Sequence, residues 1–342
     1  MDKDKLIYET EQENLLLDVR NLEVQYTSNG EIVRAVNSVT FTLNKGETLG
    51  LVGETGAGKT TIAKTIMRIL PDPPAKIVGG SIKLDGEDIL NVPEKRMREI
   101  RGQKVSMIFQ DPMTALNPVF TVGAQIEEVI KLHNKDFTKQ QIVDKAAEML
   151  DVVGISRDRY NEYPHQFSGG MKQRIIIAMA LACNPELLLA DEPTTALDVT
   201  IQAQVLDTML RLKEKLGTAM IMITHDMGIV AEVCDLVAVV YAGEIVEFGP
   251  KEELFDDPTH PYTIGLFNCI PDINKDVEFL TTIPGLPPNP ANLPTGCHFN
   301  PRCPYATEQC RTENPRAIEL TERHYVRCFN IDAVKAAMKR EG

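Results

Sequence analysis

Residues Gly53-Glu54-Thr55-Gly56-Ala57-Gly58-Lys59-Thr60 fit the pattern G-x-x-x-x-G-K-[ST], directly after a short, continuously apolar run, Thr48-Leu49-Gly50-Leu51-Val52. The run reads as a buried strand, and the glycine-rich loop converts it into a helix starting near Lys59, the context this motif requires. Glycines let backbone N–H groups wrap β- and γ-phosphates at a helix N-terminus, whose dipole already favours anions. Lys59 supplies positive charge to the phosphates, and the Thr60 hydroxyl is placed to bind Mg²⁺. The candidate nucleotide contacts are thus Gly53, Glu54, Thr55, Gly56, Ala57, Gly58, Lys59, Thr60 and Thr61.

A second element fits the first. Leu187-Leu188-Leu189-Ala190-Asp191-Glu192-Pro193 is an apolar strand tipped by two carboxylates, and strand ends are where open parallel sheets hold ligands. Asp191 is expected to hold Mg²⁺ and Glu192 to polarise an attacking water as general base. Alone, such a pair is an ordinary solvated strand end; beside a phosphate loop it becomes chemistry. Further buried strands are expected at Val105–Phe109 and Ala219–Thr224, with one long helical stretch at Val122–Leu150. Residues 15–43 alternate as an antiparallel edge, in stretches such as Leu22-Glu23-Val24-Gln25-Tyr26. Strands separated by helices imply a parallel sheet covered on both faces.

The chain's 342 residues favour two domains, or one large α/β domain with an extension. No apolar run approaches the ~20 residues of a membrane-spanning helix, and the N-terminus lacks a signal-like segment, so the chain is expected in the cytosol. A net charge of −13 argues against a nucleic-acid partner, which needs clustered Lys and Arg to release counterions. Cytosolic cysteines are expected to be reduced or bound to metal.

Gln166-Phe167-Ser168-Gly169-Gly170-Met171-Lys172-Gln173-Arg174 resembles the signature sequence of ATP-binding-cassette ATPases, and it stands just before the carboxylate-tipped strand, as in that family. Ser168 can cap a helix while Gly169 and Gly170 expose N–H groups at its start, a second anion-binding end. The resemblance implies the P-loop fold of that family: a mixed-sheet α/β core with an antiparallel β edge and a helical subdomain at about 111–180. It implies that two such subunits sandwich two ATP molecules, with Ser168, Gly169 and Gly170 meeting the γ-phosphate held by the facing subunit. Gln110 looks like the glutamine that contacts Mg²⁺ and water and couples to the membrane partner. Ala196-Leu197-Asp198 resembles the loop that acts across the dimer, His225 the histidine that bonds the γ-phosphate, and Tyr26 a residue that stacks on adenine. Met171 stands where the family most often has Gln.

The cassette resemblance spans about 15–250. Gln110-Asp111-Pro112-Met113-Thr114-Ala115-Leu116-Asn117-Pro118 and His260-Pro261-Tyr262-Thr263, followed by a proline-rich tail, look like the dipeptide and oligopeptide importer ATPases, a group that includes nickel importers. This implies a peripheral ATPase on the cytoplasmic face of the membrane, with a second cassette subunit, two permease subunits and, indirectly, an extracytoplasmic solute-binding protein. A soluble cassette ATPase acting on nucleic acid or ribosomes is the rival; it predicts a second cassette, a long coiled-coil insertion or a basic face, and none is visible in the sequence.

Residues 251–342 form the expected C-terminal extension, which carries Cys297, Cys303, Cys310 and Cys328 at C-x5-C-x6-C-x17-C. Four thiolates suit Zn²⁺ or an iron–sulfur cluster, and the spacing matches neither the common zinc pairs nor the ferredoxin runs. The likeness to peptide-importer ATPases implies a [4Fe–4S] cluster, with zinc as the alternative. Cys183, Cys234 and Cys269 read as small buried hydrophobes.

Overall fold

The computed structural model describes residues 14–28, 30–195, 197–269 and 282–341. The strands among them are β1 (Leu15–Ser28), β2 (Glu31–Asn44), β3 (Thr48–Val52), β4 (Ala75–Leu84), β5 (Glu87–Asp88), β6 (Val105–Ile108), β7 (Leu187–Asp191), β8 (Ala219–Ile223), β9 (Leu236–Tyr241), β10 (Glu244–Pro250), β11 (Ile318–Thr321) and β12 (His324–Val326). The chain divides into two compact units, one comprising residues up to 43, 48–90 and 224 onward, the other 44–47 and 91–223.

In the first unit β3 is buried at all five positions and leads through the glycine-rich loop into the helix Lys59–Ile66. β3 pairs in parallel with β9, Leu49 opposite Leu236. β9 turns at Ala242-Gly243, both at positive φ, into antiparallel β10. β10 in turn pairs with β12, and β12 with β11, both antiparallel. The tail therefore returns to the sheet that carries the phosphate loop. A separate sheet, ordered β2-β1-β4-β5, forms the expected antiparallel edge. β1 and β4 run antiparallel from Leu17 opposite Leu84 to Tyr26 opposite Ala75, with a bulge at Arg20–Glu23.

In the second unit β6, β7 and β8 run parallel, Val105 opposite Leu187 and Leu187 opposite Ala219. All are fully buried, so their sequences are apolar without alternation. The parallel sheet read from helix–strand alternation holds for these three strands, and the first unit's sheet is mixed, as the cassette resemblance implies. The reason is that β10 and β12 follow hairpin and return connections, not helical crossovers. Expected strand ends were accurate to one residue: β6 stops at Ile108, leaving Phe109 exposed.

The single long helix expected over Val122–Leu150 is two, Val122–His133 and Lys139–Val152. Asn134 closes the first, its side chain donating to the Ile130 carbonyl at 2.9 Å. Thr138 and Gln141 open the second with a reciprocal capping box. The helix Gly169–Leu181 is buried along Ile175–Ala178 and at Ala180 and Leu181. Burying such aliphatic side chains contributes about 1.5–3 kcal/mol each. Of the three cysteines read as buried hydrophobes only Cys234 is buried; Cys183 and Cys269 are half-buried, their thiols directed at the carbonyls of Val129 and Gly265.

Candidate functional site

The loop after β3 is shaped by glycines that no other residue could replace. Gly53 has φ +144, and a Cβ there would lie 2.1 Å from the Val240 carbonyl oxygen of β9. Gly58 has φ +106, and its Cβ would lie 2.4 Å from the Ala35 carbonyl oxygen of β2. The loop is therefore pressed against backbone on two sides. The Ala57 carbonyl accepts from Gly243 N–H at 2.9 Å, and the helix begins at Lys59 with Ile62 N–H bonded to the Gly58 carbonyl at 3.0 Å. Lys59 is 8% exposed, and its ammonium donates to the carbonyls of Gly53 (2.7 Å) and Glu54 (3.0 Å). Thr55 and Gly56 are exposed and Thr60 and Thr61 half-buried. The Tyr26 hydroxyl lies 3.4 Å from that of Thr61, which brings the tyrosine beside the helix start.

The second unit gathers a different group. Asp191, 3% exposed, ends β7, and Glu192 follows at φ +46, a conformation that costs a non-glycine residue about 1–2 kcal/mol. Its N–H is held by the Ile223 carbonyl at 2.9 Å. Glu192 Oε2 accepts from Gln110 Nε2 at 2.8 Å and from the Thr195 hydroxyl at 3.0 Å. Two residues singled out independently, 82 positions apart, thus share one hydrogen bond. A strained backbone and two donors fix the carboxylate in one orientation, which is what a group that must meet a water molecule requires.

Ser168 occupies the N-cap of Gly169–Leu181 in extended conformation, but its hydroxyl makes no capping bond. The capping role read from sequence is in that respect corrected: the serine sits at the cap and leaves the helix N–H groups to other acceptors. A Cβ on Gly170 would lie 2.2 Å from Ile201 Cγ2, while one on Gly169 would meet Leu197 at an ordinary 3.7 Å. Met171 Sδ lies 3.4 Å from Arg159 Nη1. Asp198 caps the helix Val199–Leu216, accepting from Ile201 N–H at 3.0 Å. Ala196 lies outside the described residues. His225 is exposed just after β8 in sequence, followed by Asp226, which caps the helix Met227–Val233.

The tail cysteines converge. Cys297, Cys303, Cys310 and Cys328 line one cavity with His260, Pro261, Phe299 and Asn330. Cys297 and Cys303 accept from the backbone N–H groups of Phe299 and Tyr305. Asn330 donates from its backbone to Cys328 and from its side chain to Cys310, both at 3.4 Å. An N–H donor to every sulfur suits thiolates, whose charge it stabilises. Against that, burial first, with the neighbouring thiols adding to it, pushes Cys297 up to about 12 and Cys303 up to about 11. Among the described residues no three or more His, Cys, Asp or Glu side chains are already drawn in to ligand distance. The four thiols share a cavity without being closed around a centre.

Sequence reasoning missed Arg302. Its guanidinium grips Glu54 of the phosphate loop with two bonds, 2.7 and 3.0 Å, across 248 residues. No periodicity or motif connects the two positions.

A phosphate loop after a buried strand, a strained carboxylate after another and a glycine-rich helix start define an ATPase. Residues 36–195 match the family model "ABC transporter", and residues 246–310 match "Oligopeptide/dipeptide transporter, C-terminal region". Relatives include the oligopeptide transport ATP-binding protein OppD of Haemophilus influenzae, 51% identical over 87% of this chain and 92% of its own length. OppD of Escherichia coli is 47% identical over 93% of this chain and 94% of its own. A solved structure titled as the dimeric post-hydrolysis state of the ATP-binding cassette MJ0796, bound to ADP and Pi, superposes with TM-score 0.62 at 26% identity, covering 69% of this chain and 99% of that one. The chain belongs to the ABC transporter ATP-binding proteins of the oligopeptide and dipeptide group. It is an ATPase of that family, in which hydrolysis drives transport. Among the described residues no helix is long and apolar enough to cross a membrane.

Proposed function

We propose that the chain is the ATP-hydrolysing subunit of a di- or oligopeptide importer, peripheral on the cytoplasmic face of the membrane. The observation that carries the peptide reading is the match of residues 246–310, beyond the cassette itself, to the transporter C-terminal region. Nickel import and action on nucleic acid or ribosomes gain no comparable support; the relatives' names are those of peptide and oligopeptide transport proteins.

In this reading ATP is held by the loop Gly53–Thr60 and Thr61, with Lys59 on the phosphates and Tyr26 against adenine. Mg²⁺ is held by Thr60, Asp191 and Gln110. Bound Mg²⁺ neutralises the charge on the β- and γ-phosphates. Glu192 takes the proton of the attacking water while Gln110 and Thr195 keep its carboxylate aimed, and His225 bonds the γ-phosphate. Ser168, Gly169 and Gly170 close on the γ-phosphate of a second cassette subunit, with Asp198 acting across the same interface. The uncapped Ser168, and a Gly169 at which a Cβ would meet Leu197 only at an ordinary 3.7 Å, support this, since among the described residues no side-chain cap closes that helix end. Residues 1–250 form the cassette, with 111–180 as its helical subdomain, and 251–342 the extension.

Cys297, Cys303, Cys310 and Cys328 are the ligands of a four-sulfur centre, read as a [4Fe–4S] cluster with zinc as the alternative, whose contribution is structural. Ligation must displace thiol protons, so it weakens as pH is lowered. Anaerobic purification with iron, sulfide, zinc and visible-absorption measurements is expected to find iron and labile sulfide. Stoichiometric zinc without iron contradicts the cluster.

The transport reading is tested by pull-down of a tagged chain from its native membrane. Two membrane-spanning subunits and a cassette ATPase are expected to co-purify. Recovery with ribosomes or nucleic acid and no membrane protein would contradict it.

A further inference from the structure

An acidic side chain inside a phosphate-binding loop is a problem for the loop. Glu54 is the residue after Gly53, half-buried, and its own carbonyl is one of the two that receive the Lys59 ammonium. Left uncompensated, its carboxylate would repel the phosphates and compete with them for Lys59. The structure compensates it from the tail.

Arg302 binds both carboxylate oxygens of Glu54 in the bidentate geometry that suits guanidinium and carboxylate. Its side chain is only 5% exposed. Arg302 is in turn fixed on its other edge: Nε donates to the Pro284 carbonyl at 2.9 Å, and the guanidinium lies 5.8 Å from the centre of the Tyr241 ring and 6.0 Å from that of Phe299. The backbone of Glu54 is held from the same side, its N–H donating to the hydroxyl of buried Tyr262 at 2.9 Å. Tyr241, Tyr262 and Phe299 pack on one another with ring centres 4.6–5.5 Å apart.

Arg302 is presented by the turn between Cys297 and Cys303. Within that turn Arg302 N–H bonds to the Phe299 carbonyl and Asn300 N–H to the Cys297 carbonyl, while Cys297 N–H reaches the carbonyl of Cys310. Phe299 lines the cysteine cavity and also packs against Tyr262, which holds the loop. Phe299 and Tyr262 in series therefore link the cysteine cavity to the phosphate loop.

We propose that Arg302 is a positioning residue that neutralises Glu54 and shapes the phosphate loop, and that the four-cysteine turn presents it, so that nucleotide affinity depends on whether the thiols are closed around their metal. This rests on the nucleotide and metal assignments above and adds a route between them.

The test is equilibrium binding of a fluorescent ATP analogue, with Mg²⁺, to the full-length chain purified anaerobically. Replacing Arg302 by Met is expected to weaken binding about tenfold, the scale of a lost charge-assisted pair. Arg302→Lys, which keeps the charge without the fork, is expected to fall between. The decisive comparison is rescue: adding Glu54→Gln removes the uncompensated carboxylate and should restore most of the affinity lost in Arg302→Met. Cys303→Ser should weaken binding in the same direction, and Glu54→Gln should restore part of that loss too. A purely structural role for the turn predicts no rescue by Glu54→Gln. Should Arg302→Met not fold, Arg302→Lys with and without Glu54→Gln carries the same comparison.

Binding by Arg302→Met within twofold of the wild type, failure of Glu54→Gln to restore it, or a Cys303→Ser chain that binds like the wild type would each overturn the proposal. Lys59→Ala separates this failure from that of the nucleotide reading. Wild-type binding lost in Lys59→Ala but kept in Arg302→Met leaves the reading standing and removes the route. Equal binding by the wild type and Lys59→Ala overturns both.

Discussion

The chain has two glycine-rich helix starts, and they need glycine for different reasons. In Gly53–Thr60 the need is conformational: Gly53 and Gly58 take positive φ, and a side chain at either would strike a neighbouring carbonyl. In Ser168–Gly170 the serine is extended at the N-cap and the two glycines are ordinary helix. Gly170 is required by close packing on Ile201, while a Cβ on Gly169 would meet, among the described residues, only Leu197 at an ordinary 3.7 Å. A loop built to wrap a ligand is over-determined from within. The second helix start keeps at Gly169 a glycine where a side chain would make only an ordinary contact among the described residues.

Substitutions at these glycines test the contrast, and the largest effect is expected at Gly53. Gly53→Ala forces a strained φ, at about 1–3 kcal/mol, and must also displace the Val240 carbonyl, so nucleotide binding is expected to be lost in an equilibrium titration. Retained wild-type affinity would mean that the loop is not held by β9 as described.

Next in size is a pH effect confined to the first unit, where His260 braces Tyr262 through its Nδ1, which accepts from Tyr262 N–H at 3.0 Å. Burial drives the His260 pKa down to about 4, and the pull of Glu247 in the opposite direction does not offset it. The unfolded chain then binds the proton that the folded chain refuses. Stability accordingly falls as pH drops from about 6.5 towards 4, by up to about 3 kcal/mol. Urea midpoints measured across that range should slope less in His260→Asn, which keeps an N-cap acceptor without the titration. Equal slopes would remove His260 as the cause.

Gly170→Ala comes third. A methyl 2.2 Å from Ile201 must push that side chain aside, which costs about 1–3 kcal/mol, offset in part by the better helix propensity of alanine. Gly169→Ala is the smallest, within about 0.5 kcal/mol of wild-type stability because its methyl would meet Leu197 only at ordinary van der Waals distance. In the assembled transporter the same methyl should slow hydrolysis. A Gly169→Ala transporter with unchanged turnover would weaken the facing-subunit role of that helix end.

The same contrast explains what the sequence reveals. The phosphate loop, β3 and the parallel strands β6–β8 were legible because each is encoded locally, by an apolar run, a glycine pattern or a strand ending in carboxylates. Gln110 and Glu192 were singled out one at a time; their mutual hydrogen bond belongs to the fold. The break at Asn134–Thr138 was hidden inside a helix-like pattern although Thr138 and Gln141 spell a capping box. β9 is a plain apolar run, yet its pairing with β3 across 187 positions, Leu49 opposite Leu236, has no local signature. Arg302 is the extreme case, since an arginine between two cysteines carries no mark of the carboxylate it meets. The four cysteines were legible as one set, but the N–H donor that each sulfur receives, from Phe299, Tyr305 and Asn330, belongs to the fold.

The central claim is that this chain hydrolyses ATP with Glu192 as the base while the phosphate loop does the binding. Steady-state turnover and nucleotide binding of Glu192→Gln, measured in the assembled transporter beside the wild type, test it most directly. ATP binding is expected to be unchanged and turnover to fall on the order of a hundredfold or more. Turnover at the wild-type rate would contradict it.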